Sequence, residues 1–340
     1  MFELWDADPG YLNTATYGLP PRTAWEALQG ALDDWRGGCA SFDPWIARVE
    51  DARASFGRLV GVAAERVSVG STVSAFAGFV GAALPDNARV LVPEGEFTSL
   101  VFPWAVHADR GVTVVQAPLE ELADAVTADT TLVAVSAVQS ADGRLADLDA
   151  IQVTSEAVGA WLVVDATQAV GWLPVSADPY DAVLVSAYKW LMSPRGTAFA
   201  TWSPRLAEIL RPLAAGWFAG EDVSTSYYGL PLRLADNARR FDISPAWHNW
   251  VGTAAALDVI ESIGLEEIHR HDVRLANRFR AGLGLVAGDS AIVSAQIPDA
   301  TARLERANIR AASRAGSLRV SFHAYNTDAD VDRALDALVG

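Results

Sequence analysis

The chain has 340 residues, 51% hydrophobic and 20% charged, and its 26 basic and 42 acidic residues leave a net charge of −16. At about 150 residues per domain this is enough for roughly two domains with a large core, and the composition excludes a disordered chain. The acidic balance repels nucleic-acid backbones and anionic membranes, so neither is expected as a partner.

In chain order, Met1 to Pro9 is acidic and lacks the basic and apolar regions of a signal peptide, which points to a cytoplasmic setting. Trp25, Leu28, Leu32 and Trp35 recur at helical spacing, as do Ile46, Val49, Phe56 and Val60. Both sets are read as core-facing stripes. Cys39, the single cysteine, excludes an intrachain disulfide and a zinc ribbon. Short apolar runs then alternate with amphipathic segments. The strands are predicted at Arg66–Val69, Arg89–Val92, Val112–Gln116, Thr131–Ser136, Trp161–Val164, Ala182–Ser186 and Thr197–Thr201. Helices are predicted between them at Val73–Leu84, Ser99–Asp109, Leu119–Val126 and Leu148–Val158. Val73–Pro85, the longest weakly polar run, is too short to span a membrane. Strands separated by helices imply an α/β fold with a mostly parallel sheet covered on both faces. Residues 214–250 are rich in Gly, Tyr, Trp, Ser and Pro and read as a long functional loop, with Trp217, Trp247 and Trp250 as candidates for lining a substrate pocket. Helices over Val251–Ile263 and around Glu266–Leu283, a strand at Leu318–His323 and a final helix after Asn326 complete the chain, with a domain boundary placed near 245. His269 and His271 lie two apart on a helix, where residues share no face, and read as solvated side chains, so no metal site is expected.

The basic residues are 25 Arg and one Lys, Lys189. Lysine and arginine exchange easily on a surface, but only a lysine amine can lose its proton and condense with a carbonyl. Open parallel sheets bind ligands beyond the carboxyl ends of their strands. The residues following each strand are therefore the candidates. Gly70-Ser71-Thr72 opens a helix and suits a phosphate, although Ser or Thr there also serves as a helix cap. Glu96 and Phe97 follow the second strand, and the aromatic ring suits stacking or core packing equally. Gln139 and Ser140 follow the fourth, and Asp165, Thr167 and Gln168 follow the fifth. A buried Asp165 needs a cationic partner, which a protonated pyridine or an arginine supplies. Ser186-Ala-Tyr188-Lys189 ends the sixth strand. A phosphate cradle, a stacking ring, a strand-end Asp and a lone Lys fit pyridoxal phosphate.

The ordered blocks Gly70-Ser71-Thr72, Glu96-Phe97, Asp165-Ala-Thr-Gln168, Ser186-Ala-Tyr-Lys189, Ser193-Pro-Arg-Gly196 and Arg319-Val-Ser321 with Tyr325-Asn326-Thr327 resemble class V aminotransferases. These are fold-type I pyridoxal phosphate enzymes that include cysteine desulfurases, isopenicillin N epimerase-like proteins and C–S lyases. The resemblance implies a large domain with a mostly parallel seven-stranded sheet and a smaller C-terminal α+β domain. The division is 1–15 as an N-terminal segment lining the site, 16–245 as the large domain and 246–340 as the small domain. It implies pyridoxal 5'-phosphate as cofactor, held as an aldimine by Lys189, which then moves the proton at the substrate α-carbon. Asp165 is expected to pair with the ring nitrogen and Phe97 to stack on the ring. Gln168, with Gln139 or Ser140, is expected to reach the phenolic oxygen. Ser71, Thr72, Ser186 and Tyr188 are expected to hold the phosphate, with Ser244 reaching the phosphate of a neighbouring subunit. Arg319 is expected to clamp the substrate carboxylate, with Asn13 and Tyr17 lining the substrate site. The implied protein is a homodimer with shared active sites that acts on an amino acid or amine, most simply as an aminotransferase. C–S lysis or epimerisation, and a catalytically inactive binding protein, are the alternatives. No Cys follows Lys189, so persulfide chemistry is not expected.

Overall fold

The structure is a computed structural model that describes residues 2–339. Two helices, α1 (Arg22–Gly37) and α2 (Phe42–Leu59), precede the alternating region. That region runs β1 (Val67–Gly70), α3 (Val73–Ala83), β2 (Arg89–Pro93), α4 (Phe102–Ala105), β3 (Thr113–Ala117), β4 (Thr130–Ser136), α5 (Leu148–Val158), β5 (Trp161–Asp165), β6 (Ala182–Ser186) and β7 (Ala198–Trp202). A short α6 (Pro204–Ile209) leads into an irregular stretch with 3-10 turns. Then follow α7 (Trp247–Ile263), α8 (Leu265–Gly282), β8 (Ile292–Ala295), α9 (Ala300–Arg306), β9 (Ala312–Arg314), β10 (Ser317–Ser321) and α10 (Asp328–Val339).

The first seven strands form one sheet in the order β1-β7-β6-β5-β4-β2-β3, with β7 antiparallel to both its neighbours and the rest parallel. Alternation along β5 shows why the sheet needs cover on both sides. Leu162 and Val164 pack with Phe56, Trp250 and Leu257, while Val163 packs on the opposite face with Phe76 and Trp104. The fold is the seven-stranded, mostly parallel α/β arrangement expected, with a second sheet, β8-β10-β9, all antiparallel. Leu318, Val320 and Phe322 enter the core under this second sheet with Phe279 and Leu304. The N-terminal segment joins it through bridges at Tyr11–Arg310 and Asn13–Ser321.

Some expectations need correction. The Trp25–Trp35 stripe does not face the core: Trp25 is 53% and Trp35 64% exposed. The buried side of α1 is its small-residue side, where Ala24, Ala27 and Ala31 pack against Ala255, Ala256 and Val251 of α7. Small side chains let the two helices approach, and the bulky ones are turned outward. Residues 99–109 are not one helix. Pro103 lacks an amide hydrogen, α4 is a single turn, and Phe102 and Val106 are exposed on it. Residues 119–126 contain only a 3-10 turn, which suffices to bury Leu119 and Leu122 three residues apart. The helix starting at Trp247 packs on α1 and α2, so its partners belong to the large sheet's side of the molecule although it follows residue 245.

The irregular stretch is fixed at Asp242. This fully buried carboxylate pairs with the buried Arg53 of α2 at 2.6 Å and accepts from the Val69 N–H of β1 at 2.8 Å. Burial pushes the Asp242 carboxyl up to about 6, against the pull of Arg53. No helix among the described residues is long and apolar enough to cross a membrane.

Candidate active site

Parallel strands β4, β5 and β6 end side by side, with Ser136 paired to Asp165 and Asp165 to Leu184. Their carboxyl ends open on a pocket lined by Val73, Phe97, Ser99, Ser136, Ser140, Asp165, Thr167, Gln168, Ser186, Tyr188 and Lys189. Lys189 lies in the tight turn after β6. The chain crosses this turn so closely that a Cβ on Gly18 would lie 1.9 Å from the Lys189 carbonyl oxygen, and the Gly18 N–H donates to the Tyr188 carbonyl. Gly171 does the same on the other side, since a Cβ there would sit 2.4 Å from the Trp190 oxygen. Only glycine fits both contacts.

Lys189 is 7% exposed and has no ion-pair partner among the described residues. Burial lowers its amine to about 8, with Asp165 opposing and Arg319, Arg314 and Arg195 adding to the depression. Asp165 accepts from the Thr167 N–H at 2.8 Å through one oxygen and has no cationic side chain within salt-bridge distance. Burial raises it to about 6. A buried carboxylate left without a cation fits a group that brings a protonated ring nitrogen. The Phe97 ring lies 5.5 Å from the Lys189 amine, on the same pocket. These features fit the pyridoxal ring that the sequence implies.

Gln139 does not reach the pocket. Glu96 is 8% exposed and gathers the Ser136 N–H and hydroxyl, the Phe97 N–H and, at 3.1 Å, the Gln139 amide. Satisfying that buried carboxylate turns Gln139 away, and Ser140 takes the pocket position. Gln168 is oriented without ambiguity. The Trp190 indole N–H can only donate, and it faces the Gln168 carbonyl oxygen at 2.8 Å. The Gln168 NH2 therefore points to the Ala15 carbonyl at 2.9 Å and to the Ser140 hydroxyl at 3.1 Å.

Ser186 and Tyr188 line the pocket beside Val73, the first residue of α3, whose free N–H groups the sequence had suggested for phosphate. The Thr72 hydroxyl accepts from the Ala75 N–H and caps α3. Ser71 and Ser244 are not in this pocket; they line a second small cavity with Gly196 and Trp250. Arg319 is 2% exposed and meets no carboxylate. It donates to the Ser140 carbonyl and, at 2.7 Å, to the Thr16 hydroxyl, while its Nε has no partner. Burial, reinforced by Arg314, pushes it down to about 10, so it stays charged at neutral pH. Tyr17 packs its ring 5.6 Å from Tyr188 and its hydroxyl accepts from the Arg195 N–H. Asn13 faces elsewhere: it lines a separate cleft of about 1000 Å³ between the N-terminal segment and α9. Of the loop tryptophans, Trp247 stacks on Phe42, Trp217 packs on Tyr227, and only Trp250 borders either small cavity.

The sequence reading missed Arg314 and the dyad behind Lys189, whereas Thr16 lies in the segment from Asn13 to Tyr17 that was expected to line the site. His323 places Nδ1 2.8 Å from Asp272 and Nε2 3.0 Å from the Trp190 carbonyl, both buried. A carbonyl only accepts, so Nε2 carries hydrogen and ties the second sheet to the lysine turn. His269 and His271 are half-buried rather than solvated, with His271 against the Asn326 carbonyl and His269 stacked on Trp172. No cluster of metal-binding type occurs among the described residues. The signal for Arg314 lay in strand register, which no local motif displays.

A profile of the family described as aminotransferase class-V matches residues 41–297. An uncharacterized aminotransferase of Bacillus subtilis is 28% identical over 86% of this chain and 84% of its own. An isopenicillin N epimerase of Streptomyces clavuligerus is 28% identical over 97% and 94%. A probable cysteine desulfurase of Methanothermobacter thermautotrophicus is 29% identical over 58% and 52%. Among solved structures, the cystine C–S lyase C-DES in complex with cysteine persulfide superposes with a TM-score of 0.88 at 19% identity, covering 98% of this chain and 97% of that one. A cysteine desulfurase of Thermococcus onnurineus gives 0.83 at 22% identity, covering 96% and 93%. The structural likenesses concern the fold, and the profile spans most of the chain: the protein belongs to the class-V aminotransferase family.

Proposed function

We propose that the protein is a pyridoxal 5'-phosphate-dependent enzyme that acts on an amino acid, and that its reaction is transamination. The observation that carries this reading is the placement of the only lysine, buried and with a lowered pKa, beside a buried carboxylate that lacks a cation. When bound, pyridoxal phosphate supplies an electron sink for the bonds at the substrate α-carbon. Lys189 holds the cofactor's aldehyde carbon and, once released, moves the proton at the substrate α-carbon. Asp165 keeps the proton on the ring nitrogen, and Phe97 covers the ring. The Ser140 hydroxyl, which accepts from the Gln168 amide, donates its own hydrogen to the phenolic oxygen, and Ser186, Tyr188 and the α3 N-terminus receive the phosphate. Arg319 holds the substrate α-carboxylate. The protein is taken to be cytoplasmic and divided at 15/16 and 245/246. It is also taken to be a homodimer, to which the outward stripe on α1 and the Ser71–Ser244 cavity are assigned. Isopenicillin N epimerase and C–S lyase relatives keep epimerisation and C–S lysis as second readings.

The test is spectroscopic. Purified protein with pyridoxal phosphate should be yellow, lose the colour to borohydride, and convert to the pyridoxamine form with an amino donor. Lys189→Arg should remove the visible band while leaving the far-ultraviolet circular dichroism unchanged. A colourless protein that takes up no cofactor sinks the reading. Pyruvate release from cysteine, or racemised substrate, without pyridoxamine formation moves it to the lyase or the epimerase.

A further inference from the structure

Resting on that reading, we infer that the substrate carries a second acidic group on its side chain, received by Arg314. The argument begins with register. Ser317 of β10 faces Arg314 of β9, and Arg319 lies two residues further along β10. Side chains two apart on a strand share a face, and directly opposed residues share it too. Arg314 and Arg319 are therefore diagonal neighbours on one face of the second sheet. Ser321 lies on that face as well, and its hydroxyl accepts from the Ala15 N–H, so this face looks onto the N-terminal segment, while Arg319 reaches the carbonyl of Ser140, a residue that lines the lysine pocket.

The hairpin is rigid where it matters. Only Ala315 and Gly316 separate the two strands, both with positive φ, as a two-residue turn requires. Thr16 lies between the two arginines: its hydroxyl accepts from Arg319 Nη2 at 2.7 Å and from Arg314 Nη2 at 3.5 Å. Neither guanidinium has a carboxylate within salt-bridge distance among the described residues. Like charges placed diagonally on a sheet repel, and among the described residues no carboxylate pairs with either of them. Lys189 registers both of these cations through its lowered pKa. In a protein of net charge −16 this cationic corner is a local inversion. Arg319, buried and with Nε unpartnered, suits the α-carboxylate. Arg314 is exposed beside it and donates only to the Ser313 carbonyl and the Thr16 hydroxyl, so no carboxylate among the described residues neutralises its charge and a second anion can. Arg195 is left out because it stacks on Tyr188, on the phosphate side, 5.1 Å from the ring. The substrate class is an α-amino acid with a side-chain carboxylate or sulfinate.

The experiment compares kcat/KM for L-aspartate, L-glutamate and L-cysteine sulfinate with that for L-alanine on the cofactor-loaded protein. It also compares inhibition by succinate and glutarate with that by propionate and butyrate. The acidic member should lead in each set by roughly tenfold or more, the value of hydrogen bonds to a charged group. Arg314→Gln should collapse that ratio, and Arg314→Lys should restore part of it. Equal reactivity of acidic and neutral substrates overturns the inference and leaves the proposed function standing. An unchanged ratio in Arg314→Gln also overturns it, because Arg314 then serves the α-carboxylate jointly with Arg319. Failure of every amino acid to react overturns the proposed function and this inference together.

Discussion

Lys189 holds its amine near a pKa of about 8 because burial disfavours the charged form more than Asp165 favours it. Only the neutral amine attacks an aldehyde. The sign follows directly: below pH 8 most Lys189 is protonated and capture of pyridoxal phosphate is slow, and above pH 8 it levels off. Capture by cofactor-free protein, trapped with borohydride and read as mass on the Lys189 peptide, should therefore rise about tenfold per pH unit and bend near 8. A bend near 10.5, the ordinary value for lysine, contradicts the buried environment. With one lysine in the chain, the α-amino group is the single competing primary amine, which makes the assay clean.

At the scale of elements, the lysine turn is held from three directions. Gly18 and Gly171 press on its backbone, and His323 donates to the Trp190 carbonyl. The Trp190 side chain in turn fixes Gln168. Trp190→Phe keeps an aromatic ring there but removes the N–H, leaving the buried Gln168 carbonyl unsatisfied at a cost of about 1–3 kcal/mol. The amide then has no reason to keep its NH2 toward Ser140. Cofactor affinity, measured by equilibrium dialysis, should fall roughly tenfold, and the pH at which the visible band changes should move. Unchanged affinity and an unmoved titration would remove Trp190 from this role. These links explain which parts of the site the sequence displayed. Asp165, Ser186 and Lys189 end buried strands, and strand ends are local patterns. Ser140 and Gln139 were indistinguishable as neighbours until Glu96, distant in sequence, claimed one of them. Arg319 alternates with Leu318 and Val320, a pattern that by itself leaves it free to face solvent, and the N-terminal segment folded over it buries it. The buried face of α1 was misread for a related reason: periodicity marked α1 correctly as a helix, but Ala24 and Ala31, not the larger Trp25 and Trp35, form its contact face.

For the whole molecule, the Arg53–Asp242 pair is the tie between α2, β1 and the irregular stretch that leads to α7. Both side chains are out of water; without Asp242, Arg53 keeps only the half-exposed Glu50 as its anion, at 2.9 Å, and the Val69 N–H loses its acceptor. Asp242→Ala should lower unfolding free energy by about 3–5 kcal/mol, measured by urea denaturation, far more than loss of an exposed pair such as Arg22–Asp6. A loss below about 1 kcal/mol would show that the Asp242 carboxylate is not the anchor. The sheet order and the burial of Asp242 belong to this scale too. Alternating strands announced the first sheet, whereas a salt bridge spanning 189 residues leaves no local trace.

The N-terminal segment has a consequence for the order in which the protein is made. Thr16 meets Arg319, Ala15 meets Ser321 and Thr14 meets Tyr325, pairs separated by 303, 306 and 311 residues. Synthesis proceeds at about 5–20 residues per second, so residues 14–16 wait tens of seconds for partners made about 300 residues later. The large sheet can assemble in that interval, but the floor of the lysine pocket cannot. The contacts that fold residues 14–16 onto β10 thus form only after both segments exist, and a nascent chain that has not reached β10 carries the buried-site lysine, Lys189, without Arg319 nearby.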